Sequence, residues 1–264
     1  MPLITDQAVC IRHWDWSETS QTVSLFSRTH GVIRGVAKGA KREKSTFSGG
    51  IELMTRGEVV ASLKNTDAMS TLTAWDLLET FSASRATLPG FFGAMAMLDV
   101  VQHSMGVADP HPGFFDALVA GLRMLGTPGA ERLAVTRVIW SALTETGHAP
   151  ELELDIRTQT PLVDATIYGF WPGLGGFSRQ VAPEAMDSEA SMQTVWKVRS
   201  ETLEHLRHVA RAAADPSVAH AAGPGDDPSG TTSKRCLQLL LAYFRFVFNT
   251  EAQALTQFVT HACG

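Results

Sequence analysis

The chain has 264 residues, of which 44% are apolar, and its 22 Lys and Arg against 27 Asp and Glu give a formal net charge of −5. This composition fits a folded protein of one to three domains, and the absence of an uncharged apolar run of about 18 residues argues against a membrane span. The opening residues, Met-Pro-Leu-Ile-Thr-Asp-Gln, lack the pattern of a secretory signal, so a cytoplasmic location is expected.

Residues 8–77 are predicted to form five short strands joined by turns. Between Ile51 and Leu63 apolar and polar side chains alternate, which places one set in a core and the other in solvent. Five strands within about 70 residues, with glycines at the bends, are typical of a small closed barrel. Residues 1–80 are therefore predicted to be an OB-fold domain that binds nucleic acid, with an SH3-like barrel as the structural alternative.

After Pro89 the apolar residues recur at spacings of three and four, which predicts helices. The predicted fold class is α+β: the five-stranded barrel followed by an all-α helical domain at residues 81–264. Within that domain, residues 148–190 are predicted to be an irregular insert. Residues 213–233, rich in Ala, Gly, Pro, Asp and Ser, are predicted to be a flexible loop.

The third predicted strand begins at Gly31 and runs into a basic loop. Six Lys and Arg lie between positions 28 and 44, against Glu43 as the single acid. Positive charge focused in this way within an acidic chain indicates a polyanionic partner, whereas the alternative is a solvated edge that discourages aggregation. The predicted DNA-binding residues are Arg34, Lys38, Lys41, Arg42, Lys44 and Arg28.

Two further sets of residues have both a functional and a structural interpretation. Trp14 and Trp16 share one strand face and could stack on bases, but they are interpreted as core residues. Arg123, Arg132 and Arg137 lie beside apolar rows of the helical domain, where an acidic peptide could bind, although a plain surface role is the alternative.

No pattern predicts catalysis, a metal site or a cofactor. The three cysteines are far apart and form no CxxC, the nine histidines include no HExxH, and neither a GxSxG nor a Walker loop is present. His205 and His208 are spaced for one helix face but have no third ligand in view, so they are interpreted as solvated residues. The chain is therefore not expected to be an enzyme.

Several segments, in order along the chain, resemble the bacterial RecO recombination-mediator family. Residues 37–42 read AKGAKR and are followed by Lys44, Ser45 and Phe47, which is similar to the family's AKGARR…KS…F signature. Residues 147–152 read GHAPEL, similar to GYAPEL, and residues 170–176 read FWPGLGG, similar to FSPELGG. The opening strand and the turn at 17–20 also resemble the family's first strand and turn.

The resemblance implies a role in DNA repair and recombination. It implies an OB-fold followed by a helical domain, binding of single- and double-stranded DNA, and annealing of complementary strands. The implied partners are RecR and the C-terminal tail of single-strand-binding protein. The implied task is to help load recombinase, with RecR, on strands that are coated by single-strand-binding protein. The implied location is cytoplasmic and nucleoid-associated.

One departure from the family concerns metal binding. Many members carry four cysteines near the APEL and LGG segments, whereas residues 153–159 and 177–182 contain none. A structural zinc needs about four sulfur or nitrogen ligands. No zinc is expected, and packing of Phe170, Trp171 and Phe177 is expected to hold this region instead.

The alternatives to this reading are an OB-type RNA-binding module and an adaptor whose barrel contacts only protein. A hydrolase is a third alternative, against which the lack of a catalytic constellation argues.

Overall fold

The computed structural model describes residues 3–47, 49–64, 68–182, 194–214 and 230–262. Spatial contacts divide the chain into two compact units. Unit 1 comprises Met1–Glu131 and Ala252–Leu255, and unit 2 comprises Arg132–Glu251 and Thr256–Gly264. Within the described ranges, no helix is both long and apolar enough to cross a membrane. The domain boundary near residue 80 that the sequence predicts stays a prediction.

Unit 1 contains a closed barrel of five strands in the order β1-β2-β3-β5-β4. Neighbouring strands are antiparallel except β3 and β5, which are parallel. This small closed barrel with one crossover confirms the predicted OB-fold. The strands are β1 (Leu3–Asp15), β2 (Gln21–Ser27), β3 (Gly31–Ala37), β4 (Arg56–Ser62) and β5 (Ser70–Glu79).

Apolar residues from all five strands fill the interior of the barrel, the largest of them Trp75. On β3, Ile33, Gly35 and Ala37 face inward and are buried, while Arg34 is exposed, as the alternation predicts. A Cβ on Gly35 would overlap the side chain of Leu72 on β5. A larger residue at this position would therefore displace the Leu72 side chain from its place in the core.

Three helices pack on the outside of the barrel within unit 1. They are α1 (Ser82–Arg85), α2 (Leu88–Ser104) and α3 (Pro112–Met124). The ring of Phe26, which points outward from β2, lies 5.5 Å from Phe114 and 5.9 Å from Phe115. Burying an aromatic side chain of this size stabilises a fold by about 1.5–3 kcal/mol, so these rings fix α3 on the sheet.

Residues 252–255 also belong to unit 1, in which the buried Asp99 of α2 accepts a hydrogen bond from Leu255 N at 3.1 Å. Leu255 lies in the first turn of α7 (Gln253–Ala262), where backbone N–H groups have no partner within the helix. The Asp99 carboxylate satisfies one of them and also lies 3.3 Å from the imidazole of His103.

Unit 2 is mainly helical and includes α4 (Glu131–Glu145), α5 (Ser200–Ala214) and α6 (Thr231–Phe248). It also contains an antiparallel sheet in the order β7-β6-β8, formed by β6 (Ile167–Trp171), β7 (Gly176–Ser178) and β8 (Trp196–Arg199). The predicted α+β class is confirmed, but the prediction of a wholly α-helical second domain with an irregular insert needs this correction. Strands of three to five residues are too short to establish a period of two in the sequence.

Part of the predicted insert and most of the predicted flexible loop fall outside the described residues. These are residues 183–190 of the insert 148–190, and residues 215–229 of the loop 213–233. At the edges of the loop, residues 213–214 end α5 and residues 231–233 begin α6.

The region without cysteines is held by aromatic packing and by one carboxylate. Phe170, Trp171 and Phe177 are almost fully buried, and the first and last have ring centroids 4.9 Å apart, which confirms the predicted packing. The carboxylate of Asp155 accepts hydrogen bonds from Ser178 Oγ at 3.0 Å and from Arg179 N at 2.9 Å. Its other oxygen accepts from two backbone N–H groups of the turn that follows. Among the described residues, no three His, Cys, Asp or Glu side chains are placed to hold a metal.

Candidate nucleic-acid interface

A bulge in β1 determines which side chains reach the outer surface of the barrel. Cys10 pairs with Leu25, but Arg12 pairs with Ser24, so Ile11 is an extra residue in β1. Without the bulge, the alternation that puts Ala8 and Cys10 in the core would also point Arg12 and Trp14 inward. The shift turns both side chains outward.

The two tryptophans at the end of β1 are accordingly exposed. Trp14 is 49% and Trp16 is 68% exposed, so their interpretation as core residues is wrong. The guanidinium carbon of Arg12 lies 5.2 Å from the ring centroid of Trp14, a cation–π contact. An aromatic ring beside a cation on the outside of a small barrel is a suitable stacking surface for a base.

Arg12, Ser24 and Arg34 form a row across three neighbouring strands. Ser24 on β2 pairs with Arg12 on β1 and with Arg34 on β3. Adjacent strands are about 4.8 Å apart, so the backbones of the two arginines are about 10 Å apart. Both arginines and Trp14 line one cleft with a volume of about 360 Å³.

The basic loop that follows β3 is fixed to the rim of the barrel. Ala40 and Phe47 are buried in the barrel core. Gly39 N donates to Ser20 Oγ at 3.1 Å, and Lys41 N donates to Thr19 O at 3.1 Å, both in the turn between β1 and β2. Gly39 has a φ of +68°, which glycine adopts without strain. The loop backbone is therefore held in place while the basic side chains that it carries remain exposed, namely those of Lys38, Lys41, Arg42 and Lys44.

The exposed cations of this region differ in their partners. Lys41 Nζ lies 2.5 Å from Asp15 Oδ1 at the end of β1. Arg28 follows the last residue of β2, whereas the basic loop lies near the first residue of that strand. The Arg28 guanidinium donates to both carboxylate oxygens of Asp116 on α3, at 3.0 and 2.7 Å. These hydrogen bonds lower the pKa of Asp116. The structure thus brings five of the six predicted DNA-binding residues to one side of the barrel and its rim, and it places Arg28 away from them.

The arginines predicted to bind a protein partner do not fall in one unit. Arg123 on α3, in unit 1, donates two hydrogen bonds of 2.8 Å to the carboxylate of Glu79. Arg132 and Arg137 lie on α4, in unit 2, and burial lowers the pKa of Arg137. Their role in binding a partner stays a prediction.

Sequence reasoning missed Arg12, Ser24 and Gln102, which line the cleft of the candidate interface. The bulge in β1 places Arg12, and no sequence pattern marks that bulge. Ser24 on β2 points outward by simple alternation, because its neighbours Val23 and Leu25 face the core. Gln102 comes from α2, and its Nε2 donates to Ile11 O at 3.2 Å, so only the packing of that helix on β1 brings it to the cleft.

Comparison with known proteins gives two matches to family models. The model described as "Recombination protein O N terminal" matches residues 1–81, and that described as "Recombination protein O C terminal" matches residues 85–193. Among curated relatives, "DNA repair protein RecO" of Cutibacterium acnes is 30% identical over 184 residues, which are 67% of this chain and 72% of that protein.

Two other relatives carry the same printed name. That of Salinibacter ruber is 32% identical over 123 residues, which are 47% of each chain. That of Thermobifida fusca is 30% identical over 156 residues, which are 58% of this chain and 63% of the relative. The matched part of the chain thus covers between about half and three quarters of the length of each of these three relatives.

Proposed function

Because the chain belongs to the RecO family of DNA repair proteins, we propose that it is a recombination mediator that binds single- and double-stranded DNA and anneals complementary strands. The observation that carries this proposal is the basic loop fixed to the rim of the barrel. Lys38, Arg42 and Lys44 are exposed there, next to Arg34 on β3, in a chain whose overall charge is negative.

Annealing requires two polyanions to approach each other. Cations at a fixed surface release the counterions of the phosphates they contact, and they reduce the repulsion between two backbones held side by side. Contacts with phosphates carry no sequence information, so the same surface serves any pair of complementary strands. The protein acts in this proposal by binding and positioning DNA, with no bond made or broken.

The partners in this proposal are RecR and the C-terminal tail of single-strand-binding protein, with which the chain helps to load recombinase. Arg123 in unit 1 and Arg132 and Arg137 in unit 2 are the candidate contacts for an acidic tail. The place of action is the cytoplasm, at the nucleoid.

The proposal is tested by annealing of complementary strands coated with single-strand-binding protein. The wild type should accelerate annealing, and a variant with Lys41, Arg42 and Lys44 replaced by Ala should lose most of the acceleration. A matched control replaces three exposed cations of unit 2 by Ala, namely Lys197, Arg199 and Arg211. Annealing by the loop variant at the wild-type rate would contradict the proposal.

A further inference from the structure

We propose that the cleft lined by Arg12, Trp14 and Arg34 is a subsite for one unpaired nucleobase, in which Trp14 provides the stacking surface and the two arginines contact the flanking phosphates. The inference rests on the proposed function, since it adds a base-binding subsite to the surface proposed to bind the DNA backbone. It predicts that the protein distinguishes single strands from duplexes at this position, which the basic loop alone does not do.

The shape and lining of the cleft suit a planar, partly polar ligand. Its volume of about 360 Å³ lies in the range of about 300–1,000 Å³ that is common for small-molecule sites. Val32 and Met105 are buried apolar residues of its lining, and Met69 is an exposed one. The polar residues Ser24 and Gln102 also line it and offer hydrogen-bonding groups to a base edge.

The ring of Trp14 has the surroundings that stacking requires. Arg12 lies over the ring, and nearly half of the Trp14 side chain is exposed. A base that stacks on this ring exchanges water contact for contact with an aromatic face, and every base offers such a face. Since the Arg12 charge is attracted to the ring quadrupole, it also holds the indole in one orientation before a ligand arrives.

The charges around the cleft fit the backbone that a base brings with it. Arg12 and Arg34 stand on two strands separated by β2, about 10 Å apart at the backbone. The rise of a stacked strand is about 3.4 Å per nucleotide, and a fully extended strand rises roughly twice as much. The two phosphates that flank one nucleotide of an extended strand are therefore about 7 Å apart. Long arginine side chains bridge the difference, so both phosphates can be reached at once.

A base in a duplex cannot occupy this cleft. Its faces are covered by its neighbours, and extruding it costs a few kcal/mol of stacking and pairing. The cleft therefore selects unpaired nucleotides, while the neighbouring basic loop holds the backbone of either form.

The test measures the affinity of the full chain for three fluorescent probes: a thymidine oligonucleotide, a strand of the same length made of abasic nucleotides, and a duplex. The abasic strand keeps the phosphates and lacks the bases. The wild type should bind the thymidine strand about five- to hundredfold more tightly than the abasic strand, the range that loss of one stacked base gives. Trp14→Ala should abolish this difference by weakening only the thymidine strand, and Trp14→Phe should restore part of it.

The control variant is Trp16→Ala, which removes a more exposed tryptophan that does not line the cleft. It should retain the preference for the thymidine strand, and circular dichroism should show that all variants are folded. Equal wild-type affinity for the thymidine and abasic strands would overturn the base subsite and leave the backbone surface in place. A wild type that binds none of the three probes would instead overturn the proposed function.

Discussion

The ion pair between Lys41 and Asp15 limits how much of the charge on the basic loop is available to a phosphate. Asp15 is 65% exposed, so Asn at this position should not disturb folding. Asp15→Asn removes a nearby negative charge and releases Lys41. We expect DNA binding at low salt to strengthen by up to about fivefold, since exposed pairs of this kind contribute up to about 1 kcal/mol.

That expectation is checked by titrating a fluorescent single strand with the wild type, Asp15→Asn and a control, Asp164→Asn, which changes an exposed acid of unit 2. The slope of log affinity against log salt should become steeper by up to about 0.7 for Asp15→Asn alone. An unchanged slope with unchanged affinity would show that Lys41 does not contact phosphate.

The exposure of individual residues of the candidate interface could be predicted from the sequence at some positions and not at others. The exposure of Arg34 follows from simple alternation, and the side chains of the loop are exposed as their charge predicts. The face of Trp14 does not follow, because a single extra residue at Ile11 reverses the alternation for everything after it. Arg28 shows a different limit, since a charge in sequence does not reveal a partner such as Asp116 on a distant helix.

At the scale of elements, the segment before and after β7 depends on the carboxylate of Asp155. Burial acts to raise the pKa of Asp155, but the hydrogen bonds from Arg179 N, Arg157 N and Ser178 outweigh it and the pKa is lowered. Asp155→Ala would leave several of these donors without their acceptor. We expect a loss of about 2–3 kcal/mol in the free energy of unfolding, measured by urea titration.

Asp164→Ala is the matched control, since it removes an exposed acid of the same unit and should change the free energy of unfolding by less than about 0.5 kcal/mol. If Asp155→Ala were as mild as this control, the segment would be held by the packing of Phe170 and Phe177 alone.

The elements of the barrel were more predictable than those of unit 2. Five strands separated by turns give a periodic signal over about 70 residues, which is enough to predict a small barrel. The strands β6, β7 and β8 are short, and glycines interrupt the run between the first two, so this part of the sequence gives no comparable signal. Their pairing is a tertiary property of unit 2.

At the scale of the whole molecule, carboxyl groups with a lowered pKa occur in both units, which predicts loss of stability in acid. They are Asp6, Glu79, Asp116, Glu151 and Asp155. A group whose pKa is lower in the folded state stabilises the fold above its unfolded pKa, and this contribution is lost as the pH falls through the folded value. Stability should therefore be nearly constant between pH 7 and about pH 5 with respect to these groups, and should decline below the ordinary values of 4.5 for Glu and 3.8 for Asp.

Urea unfolding at a series of pH values between 7 and 3 checks this expectation. Asp6→Asn should show a smaller decline than the wild type, because Asp6 accepts hydrogen bonds from Ser27, Thr29 and His30 that favour its charged form. A urea midpoint that rises on acidification would contradict the account.

The sequence predicts the change from strands to helices near residue 80, but it does not predict how the chain divides into compact units. The helices α1, α2 and α3 belong to the same unit as the barrel, and α3 meets it where the outward-pointing Phe26 contacts Phe114 and Phe115. Contacts between residues so far apart in the chain produce no periodic pattern in the sequence, so the sequence alone does not predict them.

The central claim, that the cations on the barrel and its basic loop bind the DNA backbone, is tested most directly by a salt series. Affinity for a fluorescent single strand is measured at increasing salt for the wild type and for the variant with Lys41, Arg42 and Lys44 replaced by Ala, with circular dichroism to verify folding. Each lost phosphate contact should reduce the slope of log affinity against log salt by about 0.7, so we predict a reduction of about 2 and weaker binding to all sequences alike. A folded variant with the affinity and slope of the wild type would contradict the claim.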